Sequence, residues 1–251
     1  MPIAILSALP EEQRGLSDLL VNPQRITHAG REFWTGEIHG HAVVLALSGI
    51  GKVAAATTAT VLIERFRVRQ IVFTGVAGGL RADVQVGDLV LGSSYVQHDM
   101  DASPLFPRYV LPSIGKAILD ADAALIASLL IAAQAINTPA NVEYIGENKP
   151  KKRTQIKIHT GLIASGDRFV ASSAEVQALS AALPEALCVE MEGAAVAQVC
   201  DDYGLPFAAV RSISDRADDS AHVDFNQFVR EVAGPMAVRL MDVWLKNTIK
   251  N

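Results

Sequence analysis

Three short segments of this chain deliver acidic side chains directly after apolar runs. Glu190, Met191 and Glu192 follow Cys188 and Val189 in CVEMEGAAVAQVC; Arg211, Ser214 and Asp215 close PFAAVRSISD; Glu11 and Glu12 come straight after PIAILSAL. If each apolar run is a buried strand, the acids stand at strand ends, where carboxylates, a thioether and a guanidinium can meet one small polar ligand. Carboxyl groups in different surroundings can divide the work of proton donor and proton acceptor, so the pattern points to acid-base chemistry on a sugar or a base. The same residues carry a second reading. Charges seldom enter apolar surroundings unpaired, so Arg211 and a glutamate could form a structural ion pair.

The elements that must position these side chains alternate between strand and helix. PIAILSAL is continuously apolar and short, as a strand covered on both faces should be, and PEEQRGLSDLLV follows with helical spacing and Pro10 in its first turn. REFWTGEIHGHAVVLALSG reads as two strands joined at His39 to His41, and GKVAAATTATVLIERF as a helix of small residues. QIVFTG, GDLVLGSSYVQHD, TGLIASGD, CVEM and PFAAVRSISD supply further strands. Helices are expected at Ser113 to Ala135, Ser173 to Ala182, Glu192 to Asp202 and Asp224 to Lys246. This order predicts an α/β fold: one three-layer domain over residues 1–251, with a central mixed sheet flanked by helices. The compositional break is a polar insertion at about 137–159, where Lys149 to Arg153 reads as a solvated loop or hairpin.

Several motifs have a plain structural alternative. SGIGKVA matches G-x-G-x-x-A through Gly49, Gly51 and Ala54, yet the next strand ends in Thr74 and Gly75 and not in the acid that a dinucleotide ribose requires. A tight strand-to-helix turn is the better reading. TGVAGGL is either a turn needing positive φ or a stretch of backbone lying against a flat ligand, with Gly78 and Gly79 clearing the way. HDMD, residues 98 to 101, has metal-ligand residue types without a second cluster at ligand spacing, so no metal is expected. Phe169 and Phe225 would by residue type alone be core aromatics.

Composition narrows the ligand. With 251 residues, half of them hydrophobic, the chain can bury one large core. A net charge of -5 argues against a sequence-independent hold on nucleic acid, which needs a basic surface. Cys188 and Cys200 form no disulfide framework and are expected as buried thiols in a reducing compartment. The opening residues carry no basic leader and no apolar run reaches the roughly 18 residues of a membrane span, so a soluble cytoplasmic protein without membrane contact is expected.

Seven segments in order then carry a resemblance over nearly the whole chain: AL-P-EE at 8 to 12, SGIGKVAAA at 48 to 56, TGVAGGL at 74 to 80, HDMD at 98 to 101, SGDRFV at 165 to 170, VEMEGAAVA at 189 to 197 and RSISDRAD at 211 to 218. Together they resemble the 5'-methylthioadenosine/S-adenosylhomocysteine nucleosidases of the nucleoside phosphorylase superfamily. The resemblance implies a homodimer that hydrolyses the N-glycosidic bond of 5'-thio-substituted adenosines with neither metal nor organic cofactor. It implies Asp215 as the acid on adenine N7, Glu12 as the base for water, and Glu192 as acceptor for the ribose hydroxyls. It further implies that Met191 packs on the sugar, Phe169 stacks on adenine and the Val170 backbone reads the base edge. Leu9, Ile50, Ala77, Gly78 and Ser214 join the substrate-binding set, with Glu190 and Arg211 as supports and Phe225 reaching the 5'-alkylthio pocket from the partner subunit. Two departures from the family are visible. Val76 stands where a serine commonly bonds the aspartate, leaving Asp215 to be oriented by backbone or by Ser214, and the 137–159 segment is longer than usual and adjoins SGDRFV in sequence. Competing readings are a purine nucleoside phosphorylase, a hydrolase of futalosine or AMP, and a silent nucleoside-binding protein. Phosphate requires a cationic cradle, whereas the first strand delivers Glu11 and Glu12.

Overall fold

The first strand, β1 (Ile3–Ser7), is buried at every position and runs parallel to two neighbours, β4 (His41–Leu47) and β5 (Gln70–Gly79). Such double-sided coverage is why its sequence is unbroken Ile-Ala-Ile-Leu. The computed structural model describes residues 1–137, 156–217 and 225–249. Beyond β4 the sheet continues antiparallel through β3 (Arg31–Ile38) to an edge strand, β2 (Val21–His28); His39 and Gly40 make the β3–β4 turn. On the other side β5 pairs in parallel with β10 (Phe207–Asp215), which pairs antiparallel with β6 (Leu89–Gln97). Next come β8 (Ile158–Ser165) and β9 (Ala186–Glu190), and β9 returns antiparallel to the last two residues of β5. A short β7 (Leu119–Asp120) hangs on β6. The mixed sheet is therefore one continuous surface of ten strands whose larger half, β5-β10-β6-β8-β9, curls back on itself.

Helices cover both faces. On one side α2 (Lys52–Glu64) lies against α5 (Gly193–Tyr203), their Ala and Thr residues admitting close packing over Phe73, Tyr95 and Ile213. On the other, α3 (Ala123–Ile136) packs on the C-terminal α7 (Gly234–Asn247) over Leu45, Val72 and Leu91, with Trp244 buried between them. The third layer element near the site is α4 (Ser173–Ala182), whose N-cap Ser172 accepts from Glu175 N–H. This is the α/β domain with a central mixed sheet that the alternation of segments predicts. Cys188 and Cys200 are free and buried.

Four boundaries differ from the sequence expectation. The first helix, α1, is only Pro10–Gln13, and a 3-10 turn at Ser17–Leu19 leads into β2; as an exposed edge strand, β2 lacks the buried-face alternation that betrays a strand. α3 starts at Ala123 and not at Ser113, because Asp122 caps it by accepting from Leu125 N–H. The C-terminal helix is interrupted: α6 (Phe225–Phe228) passes through a π-helical turn, Val229–Ala233, before α7, where Pro235 has no N–H to continue the i-4 ladder. TGVAGGL is no turn, since β5 runs through to Gly79. Of the expected polar insertion, 138–155 lies outside the described residues, as does the Lys149 to Arg153 stretch. Its flanks meet: Asn137 Nδ2 donates to Ile156 O at 2.6 Å and accepts at Oδ1 from Ile156 N–H at 3.2 Å. Those flanks enter β8 at its start, a strand length of roughly 23 Å from Ser165, so they do not border the base pocket as the sequence proximity to SGDRFV suggests.

β10 carries Arg211, Ser214 and Asp215, and its seat on β6 depends on a buried phenol. Tyr95 OH accepts from Ala209 N–H at 2.7 Å and donates to Gly92 O at 2.8 Å. Tyr95→Phe leaves both backbone groups without their partner, and the expected loss is about 1–3 kcal/mol of stability. Urea denaturation of the two proteins measures it; an unchanged midpoint would show that this bridge does not secure β10.

Candidate functional site

The C-terminal ends of β1, β5, β8, β9 and β10 frame one cleft with about 700 Å³ of open space, its mouth to solvent included. Strands reach it from opposite directions: β9 runs antiparallel to β5, yet Val189 pairs with Gly78 where both strands end. Ligands of open α/β sheets settle at carboxyl ends of strands, where loops replace the ladder. This geometry brings Glu12, Glu192 and Asp215 onto the wall of the same cleft.

Glu12 comes from α1 and is 3% exposed, whereas its neighbour Glu11 faces solvent. Its Oε2 accepts from the N–H groups of Ala8 and Leu9, both at 2.8 Å, and Oε1 accepts from Val76 N–H at 3.2 Å. Burial raises its pKa above the ordinary glutamate value, opposed by those backbone donors and by the Arg211 charge. A Cβ on Gly75 would stand 3.0 Å from Glu12 Oε1, so the absence of a side chain there makes room for the carboxylate. Ser7 and Thr74 tie the ends of β1 and β5 together through their hydroxyls at 3.0 Å.

Asp215 ends β10. Its Oδ2 accepts from Ser214 Oγ at 2.6 Å and its Oδ1 from Ala217 N–H at 2.6 Å. With Val76 offering no hydroxyl, Ser214 and the backbone perform the orientation. Gly78 is a matter of close approach: an added Cβ would meet Ala217 Cβ at 2.7 Å and Asp215 Oδ1 at 3.0 Å.

Glu190 and Glu192, two residues apart, have different surroundings. Glu190 Oε2 accepts from Arg211 Nη2 at 2.7 Å and Nε at 3.3 Å, Ser165 Oγ donates to Oε1, and the N–H groups of Glu192 and Gly193 complete the shell. Arg211 is 1% exposed, donates to Phe73 O at 3.1 Å and lies over the Phe73 ring at 4.2 Å. The structural ion pair read as the alternative for these residues is thus present. Of the two residues expected as supports, Arg211 stands behind the cleft wall and does not line it, and Glu190 lines the cleft with its carboxylate engaged by protein donors. Glu192 keeps one backbone donor, Gly51 N–H at 2.8 Å on Oε1. Burial, and then the nearby Glu190 charge, push its pKa up to about 8.

Apolar residues complete the wall. Met191, Val170, Ala77, Leu9 and Ile50 line the cleft beside Ala8 and Val189. Phe169 is half-exposed at the mouth and meets Phe225 edge-on, with ring centroids 6.2 Å apart; neither is a core aromatic. Phe225 lines the cleft of its own chain, contrary to its assignment to a neighbouring subunit, because α6 packs against β10. The SGIGKVA turn is the strand-to-helix turn expected, with Gly49 and Gly51 at positive φ, and spends its N–H groups on carboxylates of this chain: Gly51 on Glu192 and Lys52 on Asp167 at 2.7 Å. In HDMD, Asp99 takes Lys52 Nζ at 2.6 Å and Asp167 N–H at 2.8 Å, linking that turn to the SGDRFV loop. Among the described residues no group of three or more His, Cys, Asp or Glu could hold a metal, and no helix is long and apolar enough to cross a membrane. Sequence reasoning missed Arg168, which also lines the cleft; its place beside Phe169 in SGDRFV was the available signal.

The model of the phosphorylase superfamily matches residues 2–243. A curated 5'-methylthioadenosine/S-adenosylhomocysteine nucleosidase of Bacillus thuringiensis (strain Al Hakam) is 36% identical over 234 residues, spanning 93% of this chain and 94% of its own. The crystal structure of the enzyme of that name from Neisseria meningitidis, in complex with methylthio-immucillin-A, superposes with a TM-score of 0.87 at 32% identity, covering 98% of this chain and 99% of that one. Futalosine hydrolase of Helicobacter pylori is similar at a TM-score of 0.86 and 32% identity, covering 99% of this chain and 98% of that one. The chain belongs to the phosphorylase superfamily and, within it, to the family of the 5'-methylthioadenosine/S-adenosylhomocysteine nucleosidases.

The Glu192 environment sets a pH dependence. A folded-state pKa of about 8 against an ordinary 4.5 means that the folded protein binds the extra proton across that window, so stability is greatest at its acid end and falls as pH rises toward 8. Glu192→Gln keeps an acceptor for Gly51 N–H and removes the titration. Its denaturation midpoint should fall less steeply than that of the wild type between those pH values; parallel curves would refute a raised Glu192 pKa.

Proposed function

We propose that this protein hydrolyses the N-glycosidic bond of 5'-methylthioadenosine, S-adenosylhomocysteine and related 5'-substituted adenosines, releasing adenine. The observation that carries the reading is the meeting of Glu12, Glu192 and Asp215 on one cleft, each held by different donors. Breaking the bond between C1' and N9 builds positive charge on the sugar and negative charge on the base, so a catalyst must protonate the base, stabilise the cation and supply water. Asp215 is the proton donor to adenine N7, with Ser214 and the Ala217 amide setting its direction. Glu12, poised by opposing burial and backbone donors, orients and deprotonates water. Glu192 accepts from the 2'- and 3'-hydroxyls. In its ionised form the Glu192 charge stabilises the positive charge that grows on the ribosyl group.

The remaining contacts are apolar or from backbone. Met191 packs on the sugar, Phe169 stacks on adenine against Ala77 and Gly78, and the Val170 backbone reads the base edge. Leu9, Ile50 and Phe225 receive the 5' substituent. Phosphorolysis is disfavoured, since Glu12 occupies the water side and is already ringed by N–H donors that a phosphate would need. A futalosine-type hydrolase is the second reading, favoured by the equal likeness to the Helicobacter pylori enzyme; the same acid and base would serve it behind a different 5' pocket. The reading includes a homodimer working in the cytoplasm. Support for the dimer, besides the resemblance, is the strong exposure of the apolar side chains Val53 and Leu105.

Incubation with methylthioadenosine in phosphate-free buffer should release adenine and free 5-methylthioribose. Methylthioribose 1-phosphate formed only with added phosphate would replace hydrolysis by phosphorolysis, and turnover of futalosine alone would favour the second reading. Asp215→Asn should lose adenine release by a factor of about 10² or more, the usual worth of a positioned acid, with an unchanged circular dichroism spectrum. An active variant would remove Asp215 from its role.

A further inference from the structure

We propose that Arg168 selects nucleosides whose 5'-thio tail ends in a carboxylate by binding that carboxylate at the rim of the cleft; the inference rests on the nucleosidase reading above. Among the described residues lining the cleft, four carry carboxyl groups, Glu12, Glu190, Glu192 and Asp215, and Arg168 alone carries positive charge. An anionic tail entering such a cleft meets charge of its own sign unless a cation faces it. A neutral methylthio tail meets no such barrier.

The position of Arg168 follows from its neighbours. Asp167 accepts Lys52 N–H at 2.7 Å, and a Cβ on Gly51 would stand 3.1 Å from Asp167 Oδ1. The SGDRFV loop therefore touches the Ile50–Gly51 turn, and Arg168 and Ile50 line the same cleft, the one read above as receiving the 5' substituent. On its other side Phe169 meets Phe225. Its side chain is 74% exposed and forms an ion pair with Glu175 on α4. Glu175 Oε1 makes no aligned hydrogen bond; its Oε2 is the atom that accepts from Ser172. The guanidinium side of the pair is open to solvent although Glu175 is only 27% exposed, so water screens the attraction and a ligand carboxylate can compete with Glu175 for the guanidinium. The planar guanidinium offers two parallel N–H donors that match a carboxylate, which a lysine at this position would not.

The test measures kcat/KM for methylthioadenosine, for 5'-deoxy-5'-(3-carboxypropylthio)adenosine, whose tail is anionic, and for the carboxamide of the latter, which is the same size and neutral. Wild type should prefer the carboxylate over the carboxamide by about three- to fivefold, the range of an exposed ion pair, through KM, and the preference should shrink as salt rises. Arg168→Ala should erase that preference, and Glu175→Gln, which frees the guanidinium, should enlarge it. A preference that survives in Arg168→Ala, or none in wild type that cleaves methylthioadenosine, overturns the role of Arg168 and leaves the nucleosidase reading intact. Release of adenine from none of the three by wild type overturns the nucleosidase reading itself.

Discussion

A guanidinium sealed from water has to be answered by charge, and Arg211 answers to Glu190 through two hydrogen bonds while lying on the Phe73 ring. Removing either partner of such a pair typically costs about 3–5 kcal/mol, because the survivor is left charged and unsolvated. The pair joins β10 to β9 beneath the cleft floor. It also works at a distance: the Arg211 charge lowers the pKa of Glu12 and of Glu192, which burial alone would drive further upward. One cation behind the wall thus permits three carboxyl groups to be packed near one another. Glu190 is neutralised outright, and the other two remain able to exchange protons.

Strand direction explains how acids so far apart in the chain come together. β5 pairs with β10 in parallel and with β9 in antiparallel fashion, and the paired residues Gly78 and Val189 both stand at carboxyl ends. Acids at or just beyond the ends of β1, β9 and β10 are thereby presented from opposed directions to a single space. The close approach needs missing side chains on β5. Gly75 yields to Glu12, and Gly78 yields to Asp215 and Ala217. Tyr95 holds β10 to β6 on the far side, and the closed half of the sheet leaves the strand ends little freedom to part.

Different shells give the four carboxyl groups different duties. Glu190 is saturated by donors and structural, Glu12 is gripped by three backbone N–H groups, Asp215 is aimed by a serine and an amide, and Glu192 keeps a single donor and a raised pKa. A proton donor, a water base and a carboxyl group to answer the charge on the sugar are then available without moving a side chain far. Such division of labour by environment is how chemically equal groups perform unequal tasks at one pH.

Much of this was legible in the chain. Unbroken apolar runs such as Ile3 to Leu6 mark strands covered on both faces, and acids placed immediately after them can only stand at strand ends. The α/β class, the buried thiols and the membership of Glu12, Glu192 and Asp215 in one constellation follow from local pattern and ordered motifs. What local pattern cannot carry is pairing between distant segments. Whether Glu11 or Glu12 turns inward is decided by the pitch of a four-residue helix, and whether Glu190 or Glu192 faces a ligand by which of them meets Arg211. The edge strand β2, the break before Pro235 and the place of Phe225 in its own cleft likewise depend on what packs against them, not on neighbouring residue types. Residue order determined the kinds of chemistry on offer. Tertiary structure alone decided which carboxyl group is spent on structure and which is left to react, because burial and partner charge are properties of where the strands meet.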